Sequence, residues 1–338
     1  MKKLISLICV LAMVLALAAC GSPAPAAATE APAASTEAPA EDVSADKTFV
    51  VGICQLVQHP ALDAATQGFK DALTEALGDK VTFQEQNASG DSATCSLICN
   101  QFVSDEVDLI MANATASIQA AASATNTIPI LGTSITDYGV ALGVDNWTGV
   151  SGTNISGTSD LAPLDGQAAM IQELFPEAKT IGLLYCSGEP NSIFQADSME
   201  ALLTDMGYSV ERYTFADSND VSSVTENACS NSDVLYIPTD NTAASCTEAI
   251  NNVALSAGIP IVAGEEGLAS GCGVATLSIS YYDLGRATGE MAAEILTEGA
   301  DISTMEVRFA PAFTKEYNAD ICEALNITVP EDYVAIAK

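Results

Sequence analysis

Short β-rich runs alternate with helical patterns along most of this chain, and this alternation constrains its fold more than any other feature. The apolar run Phe49–Cys54 predicts a buried strand, and Pro60 opens a helical pattern that continues until Gly78. Strands that alternate with helices favour βαβ units, in which neighbouring strands run parallel. The alternation therefore predicts an α/β fold built on parallel sheets.

The same patterns continue along the chain. They predict further strands over 81–84, 107–111, 129–131, 180–185, 209–215, 233–237 and 259–262 and helices over 95–103, in the Ala-rich stretch before 129, and over 192–206. Such a series is long enough for two medium-sized lobes, each with its own core.

One pattern occurs twice. The strand-like stretch 107–111 ends in a hydroxyl-rich turn and leads through a helix to the sequence Ile-Pro-Ile at 128–130. The stretch 232–237 does the same and leads to Ile-Pro-Ile at 259–261. The repetition indicates two lobes of like topology.

The N-terminus carries an export pattern. A basic start, Met1–Lys3, precedes an uncharged apolar run over 4–19, and Leu17-Ala18-Ala19-Cys20 resembles the bacterial lipobox. We expect a signal peptide over 1–19 and a lipid on Cys20; an ordinary signal peptide with a chance cysteine is the alternative. Residues 20–47, rich in Ala and Pro, predict a disordered tether. The protein is then extracytoplasmic, and this lipid is its only contact with the membrane.

The charge balance excludes some partners. The chain has 11 Lys and Arg against 44 Asp and Glu, a net charge of −33. A surface this acidic repels nucleic acid and anionic lipid headgroups, so neither is expected as a partner.

Metal and disulfide chemistry is not indicated either. The chain has one histidine, and its cysteines form no CxxC pair or other zinc-like cluster, so no metal site is predicted. We interpret most cysteines after Cys20 as small buried hydrophobic residues, although an exported protein could form disulfides.

Candidate ligand-binding residues lie where strands end. In open parallel sheets, ligands bind beyond the carboxyl ends of the strands, beside helix N-termini. The turns selected by this rule, together with the start of the last long helix, supply Gln55, His59, Asp63, Asn113, Thr115, Thr133, Ser134, Asn191, Ser192, Thr239, Asp240, Asn241, Glu265 and Tyr281.

These side chains suit a zwitterion. Hydroxyls and helix N-terminal N–H groups bind a carboxylate, and a buried Asp binds an ammonium group. The alternative is that each polar residue only caps its helix. We assign the ligand ammonium to Asp240 and its carboxylate to Thr115 and Ser134. Gln55, His59, Asn191 and Glu265 are expected to shape the rest of the pocket.

Catalysis is not predicted. His59 could act as a base with Asp63 one helical turn away, but the sequence has no nucleophile motif such as GxSxG. It also has no phosphate-binding loop, and no cofactor is expected. We therefore predict a binding protein without catalytic residues.

Several of these segments together resemble one family. They are 50–63, 113–115, 132–138, 153–163, 237–241, 263–267 and 281–286. In this order they resemble the TrpX-type substrate-binding proteins of ABC transporters, over about residues 48–338. The sequence departs from that pattern at Ala116, where a proline is expected, and at Cys95, Cys99, Cys186, Cys246 and Cys272.

The resemblance implies a type I periplasmic-binding-protein fold, with two doubly wound parallel-sheet lobes joined by a three-segment hinge. Lobe I would comprise 48–155 plus about 279–304, including a returning helix over 283–297. Lobe II would comprise 156–278 plus about 305–338.

The resemblance also implies a function. A monomer would bind a small zwitterionic ligand, namely an amino acid, aromatic ones included, and deliver it to an ABC permease. The alternatives are the same fold binding a sugar, nucleoside or other solute, a sensor that presents its ligand to a receptor, and a hydrolase.

Overall fold

The computed structural model describes residues 47–310 and 312–337. The expected signal peptide, the lipidated Cys20 and the tether as far as residue 46 lie outside the described residues. Within the described part of the chain, none of the helices is both long and apolar enough to span a membrane.

Thirteen strands form two sheets in the described residues. They are β1 (Phe49–Gln55), β2 (Val81–Asn87), β3 (Leu109–Asn113), β4 (Ile130–Ile135), β5 (Ile155–Ser159), β6 (Thr180–Cys186), β7 (Ser209–Phe215), β8 (Val234–Ile237), β9 (Ile261–Ala263), β10 (Ala275–Ser278), β11 (Arg308–Phe309), β12 (Thr314–Tyr317) and β13 (Val334–Ala335). The first sheet has the order β11-β5-β4-β3-β1-β2, and the second β13-β12-β10-β9-β8-β6-β7.

Twelve α-helices connect these strands in the described residues. They are α1 (Pro60–Leu77), α2 (Ser92–Ser104), α3 (Thr115–Ala124), α4 (Tyr138–Leu142), α5 (Leu164–Leu174), α6 (Pro190–Asp205), α7 (Val221–Asn231), α8 (Asn241–Ala244), α9 (Thr247–Ala257), α10 (Glu266–Gly271), α11 (Tyr281–Glu298) and α12 (Ala319–Ala324). Short 3₁₀ turns occupy Gly78–Lys80 and Ile302–Thr304.

The two sheets confirm the predicted fold class. Each sheet is built of parallel pairs, apart from the antiparallel pairing of β10 with β12. Strands β3 and β4 are buried along their whole length, as expected for parallel strands covered by helices on both faces. Each sheet with its helices is called a lobe below.

The strand pairings suggest where the chain crosses between the lobes. Because β5 pairs with β4, the first sheet extends to Ser159, and we propose that the first crossing follows this residue. Strand β11 pairs with β5, so we propose that the third crossing follows Phe309. We propose that the second crossing follows β10.

Helix α11 returns from the second sheet to the first lobe, where it packs against α1. It begins at Tyr281, two residues before the expected start. Glycines allow a very close approach: a Cβ on Gly285 would lie 2.0 Å from the carbonyl oxygen of Ala65, and one on Gly68 would lie 2.0 Å from that of Tyr282. The α1–α11 pair thus fixes the late helix beside β4 and β5, with Tyr281 at its start lining the cleft between the lobes.

The described cysteines are all free thiols. All are buried except Cys246, which is partly exposed. This arrangement agrees with their interpretation as small hydrophobic residues of the two cores.

Candidate functional site

A cavity lies between the carboxyl ends of the two sheets. Its wall is formed by residues from both lobes and from the first and second crossings. The lining residues are His59, Leu62, Ser134, Thr136, Asp160, Asn191, Thr239, Asp240, Asn241, Ala244, Glu265 and Tyr281. The position is the one that parallel sheets offer to ligands, beside the N-termini of helices that follow the strands.

Eight of the fourteen residues proposed from the sequence line this cavity. They are His59, Ser134, Asn191, Thr239, Asp240, Asn241, Glu265 and Tyr281. The other six, Gln55, Asp63, Asn113, Thr115, Thr133 and Ser192, lie behind the wall or beside it.

Three of these six form a hydrogen-bond network under the cavity. The Gln55 amide donates to Asp63 Oδ1 at 2.6 Å and accepts from the Thr66 hydroxyl at 2.6 Å. Asn113 Nδ2 donates to the Thr66 hydroxyl at 3.0 Å and to the Leu62 carbonyl at 2.9 Å. These bonds attach the first turns of α1 to the ends of β1 and β3, so their role is to position Leu62 and His59.

The remaining three contact the site less directly. Thr133 accepts a hydrogen bond from the Thr158 hydroxyl at 3.3 Å, inside the first sheet. Ser192 accepts one from the Asn191 amide at 3.3 Å. Thr115 is the first residue of α3, whose N-cap, Ala114, has no side chain able to cap the helix.

Asp240 is buried, and each of its carboxylate oxygens accepts a hydrogen bond from a backbone N–H. Its Oδ1 accepts from the Ala243 N–H at 2.8 Å, and its Oδ2 accepts from the Cys186 N–H at 2.7 Å. Burial, with the nearby charge of Glu189, raises the pKa of Asp240 to about 8. This residue caps α8 and joins it to β6, so its oxygens are less free for a ligand ammonium than the sequence suggested.

Glu265 has the same kind of environment. Its two carboxylate oxygens accept from the Gly267 and Leu268 N–H groups at 2.5 and 2.6 Å, which caps α10. Burial raises the pKa of Glu265 to about 7.

Asp160 was not among the predicted residues, yet it is the carboxylate with a free oxygen in this cavity. Its Oδ2 accepts from the Tyr281 hydroxyl at 2.8 Å, whereas its buried Oδ1 has no partner among the described residues. Burial raises the pKa of Asp160 to about 6. It directly follows β5, so the strand-end rule would have selected it if 155–159 had been recognised as a strand.

Three buried polar atoms in the cavity wall lack hydrogen-bond partners within the described chain. They are His59 Nδ1, Ser134 Oγ and Asp160 Oδ1. A buried polar atom without a partner costs about 1–3 kcal/mol, so such atoms are rare in native proteins. Three of them around one cavity indicate a place for a polar ligand.

The backbone is strained at Ser134 and at the end of the neighbouring strand. Ser134 has a φ of 56°, within an irregularity of the pairing between β4 and β5. Ala114, at the end of the neighbouring strand β3, has a φ of 84°. Non-glycine residues in this region are strained, and such strain concentrates at ligand sites.

The cavity is closed by contacts between the lobes. His59 Nε2 lies 3.3 Å from Asn241 Oδ1, and the Thr136 and Thr239 hydroxyls lie 3.2 Å apart. Gln195 donates to the Thr239 hydroxyl at 2.6 Å and so fixes the second pair from behind.

The wall of the cavity contains three carboxyl groups and no Lys or Arg. Its electrostatic character therefore suits a ligand with a cationic group. In the described residues no cluster of His, Cys, Asp and Glu is suited to a metal ion.

A comparison with family models identifies the family of this chain. The family model for the ABC transporter substrate binding protein matches residues 50–338. The chain belongs to this family of extracytoplasmic substrate-binding proteins.

Individual relatives extend the comparison. The tyrosine-binding protein of Clostridioides difficile strain R20291 is 38% identical over 280 residues, which cover 82% of this chain and 81% of the relative. An ABC domain from Streptococcus pneumoniae in complex with L-Trp is 31% identical and has a TM-score of 0.82, with 86% of this chain and 100% of that chain covered.

A third relative was solved without ligand. This open structure of a substrate binding protein with adhesive properties from Clostridium difficile is 38% identical but has a TM-score of 0.65, with coverage of 86% and 100%. The lobes of our protein are thus arranged more like those of the L-Trp complex, despite the lower identity of that complex.

Proposed function

We propose that this protein is the solute-binding component of an ABC importer that carries an amino acid with an aromatic side chain. The observation that supports this proposal most is the cavity wall. It combines an unpaired carboxylate oxygen on Asp160 with an unpaired hydroxyl on Ser134, and no cationic side chain. Relatives named for tyrosine binding and solved with L-Trp support the aromatic class.

The ligand ammonium binds Asp160 in this proposal. A charged N–H donor pairs with the free Oδ1, while Tyr281 holds the other oxygen in place. Glu265 adds negative charge nearby, because its charge and that of Asp160 both act on Tyr281. This assignment replaces Asp240, whose oxygens are used by the backbone.

The ligand carboxylate binds at the ends of β3 and β4. Ser134 Oγ is free to donate to it, and the N-terminus of α3 lies at the adjacent strand end with no side-chain cap. Thr115 is the first residue of this helix. Helix N-terminal N–H groups favour anions through both their free donors and the helix dipole.

Transport follows from hinge motion between the lobes. The three crossings permit the lobes to open, bind the ligand and close. The His59–Asn241 and Thr136–Thr239 contacts hold the lobes closed in this structure. The closed form then delivers the ligand to a membrane permease. We propose that the binding protein is a monomer and that a lipid on Cys20, after removal of residues 1–19, keeps it at the membrane.

A ligand panel tests the proposed function. The purified protein is heated with amino acids, sugars and nucleosides, and we expect stabilisation by aromatic amino acids. A ligand at a hundred times its Kd adds about 2.7 kcal/mol to the free energy of unfolding. Stabilisation by a sugar or nucleoside and not by any amino acid would contradict the proposal.

A further inference from the structure

The imidazole ring of His59 in the cavity wall has a protonation state and a set of hydrogen bonds that bear on ligand binding. It is the one histidine of the chain and precedes α1 as its N-cap residue, without a side-chain capping bond. It is 6% exposed, and burial lowers the pKa of its imidazole below the usual value. The ring is therefore neutral at pH 7, so one ring nitrogen donates a hydrogen bond and the other accepts one.

Glu189 determines which nitrogen of His59 carries the proton. Asn241 donates to Glu189 Oε2 through its backbone N–H at 3.0 Å and through its Nδ2 at 2.8 Å. The Glu189 contacts thus orient the Asn241 amide with its Nδ2 towards Glu189 and its Oδ1 towards His59 Nε2, 3.3 Å away.

Thr242 strengthens this orientation. Its backbone N–H and hydroxyl donate to Glu189 Oε1 at 2.8 and 2.7 Å, so both carboxylate oxygens are fixed. Because Asn241 Oδ1 only accepts, His59 Nε2 must bear the hydrogen. The other nitrogen, Nδ1, is then an acceptor with a lone pair.

This lone pair is unused. Nδ1 is buried in the cavity wall, and the structure gives it no partner among the described residues. The neighbouring Asp240 and Asn191 already bond to backbone groups of their own lobe. The hydrogen-bonded cluster of Asp160 and Tyr281, to which the ammonium is assigned, is separate from the cluster of His59, Asn241 and Glu189.

We propose that His59 Nδ1 accepts a hydrogen bond from the side chain of the bound amino acid, so that the site selects side chains carrying a donor, such as a phenol or an indole, over plain hydrocarbon ones. This inference rests on the proposed function. His59 is then a specificity-determining residue, and Glu189 is a positioning residue that acts on it through Asn241.

The selectivity arises because an amino acid without a side-chain donor leaves His59 Nδ1 without a hydrogen bond. A site built to hydrogen-bond a ligand group rejects an analogue without that group, because a buried acceptor remains unsatisfied. L-tyrosine and L-phenylalanine differ by one hydroxyl. We expect L-tyrosine to bind about ten- to a hundredfold more tightly, which is the range that a buried unpaired acceptor gives.

Titration calorimetry with both amino acids tests the inference on a matched pair of variants. His59→Gln keeps an amide near the Nε2 position, where it can contact Asn241, but has no acceptor at the Nδ1 position. We expect it to lose the preference for L-tyrosine: affinity for L-tyrosine falls, whereas affinity for L-phenylalanine rises because no buried acceptor is left unpaired. His59→Asn places an amide oxygen near Nδ1, and we expect it to retain part of the preference.

The results separate this inference from the proposed function. Equal affinities of the native protein for the two amino acids, or an equal loss of both in His59→Gln, would overturn the role of His59 and leave an amino-acid receptor. Binding of neither amino acid by the native protein, in a panel where a sugar or nucleoside does bind, would overturn both.

Nuclear magnetic resonance gives a direct view of the ring. Because the chain has one histidine, ¹⁵N-histidine labelling yields the signals of His59 without assignment, provided that the purification tag contains no histidine. We expect the Nε2–H tautomer in the free protein and a shift of the Nδ1 resonance with L-tyrosine but not with L-phenylalanine. Glu189→Gln should give a mixture of tautomers. An Nδ1–H tautomer in the native protein would refute the inference.

Discussion

At the scale of single residues, the site is defined by what each polar atom already bonds to. Asp240, Glu265 and Asp160 are all buried carboxyls in one wall, but only Asp160 has an oxygen without a donor in the described chain. The sequence predicted most of the other polar side chains, because they follow apolar strands that are easy to recognise. The sequence could not predict which of these side chains bond to the backbone N–H groups of a helix N-terminus, since that depends on the backbone around them.

The strained Ser134 leads to the first prediction. Ser134→Gly removes the hydroxyl but relieves the φ of 56°, whereas Ser134→Ala removes the hydroxyl and keeps the strain. We expect both variants to bind the amino acid more weakly, and Ser134→Gly to be about 1 kcal/mol more stable than Ser134→Ala in denaturant unfolding. Unchanged affinity in both variants would remove Ser134 from the carboxylate site.

The raised pKa values of the buried carboxyl groups predict that ligand affinity depends on pH. The pKa of Asp160 is raised to about 6, so this residue is ionised at pH 7.5 and mostly protonated at pH 5. Glu265, with a pKa of about 7, changes in the same direction. Because a neutral acid attracts an ammonium less, we expect affinity to fall as pH falls below 6, by up to about tenfold per pH unit for each group. An affinity that is constant from pH 7.5 to 5 in calorimetry would contradict this.

The stability of the ligand-free protein should change in the opposite direction. The folded pKa values of Asp160 and Glu265 lie above their usual unfolded values, so the folded state binds more protons between about pH 4 and 7. The free energy of unfolding therefore falls as pH rises through this window, by up to about 1.4 kcal/mol per pH unit for each group. Asp160→Asn should show a weaker dependence in urea unfolding at a series of pH values, and an identical one would contradict the account.

At the scale of helices and strands, elements with a clear apolar pattern were predicted, whereas β5, α5 and α7 were not. Strands β1 and β3 are continuous apolar runs, and α1 has regular apolar spacing from Pro60 onward. Strand β5, Ile155–Ser159, is made of small and hydroxyl residues after its first position, so its sequence resembles a loop although the strand is fully buried. Because this strand was not recognised, Asp160, which directly follows it, was not selected as a site residue.

The pairing of α1 with α11 leads to a prediction at this scale. Gly285→Ala would place a methyl group 2.0 Å from the Ala65 carbonyl oxygen, so the helices must separate. We expect a loss of about 2–3 kcal/mol in denaturant unfolding, as for other overpacked contacts. Glu290→Ala, at an exposed position of the same helix, is the control and should change stability by less than about 0.5 kcal/mol. Similar values for the two variants would contradict the close packing.

At the scale of the whole molecule, the repeated Ile-Pro-Ile segments predicted two lobes of like topology, and the family resemblance implied a three-segment hinge. The degree of closure between the two lobes could not be predicted from the sequence. It depends on contacts between residues far apart in the chain, such as the Thr136 and Thr239 hydroxyls.

This contact permits a direct test of closure. A disulfide between Thr136→Cys and Thr239→Cys should form on oxidation, because the two hydroxyls are 3.2 Å apart in the closed arrangement. We expect the oxidised protein to retain bound amino acid through dialysis and to release it on reduction. Thr136→Cys alone is the control. Equal release before and after reduction would show that this contact does not close the site.

In the proposed complex, Asp160 holds the ammonium group of an amino acid between the lobes. Titration calorimetry of L-tyrosine with Asp160→Asn tests this contact, with Asp165→Asn as a control at an exposed position of α5. Loss of one partner of a buried charge pair costs about 2–5 kcal/mol. We expect affinity to fall by roughly a hundredfold or more in Asp160→Asn and to stay unchanged in Asp165→Asn. Native affinity in a folded Asp160→Asn protein would contradict it.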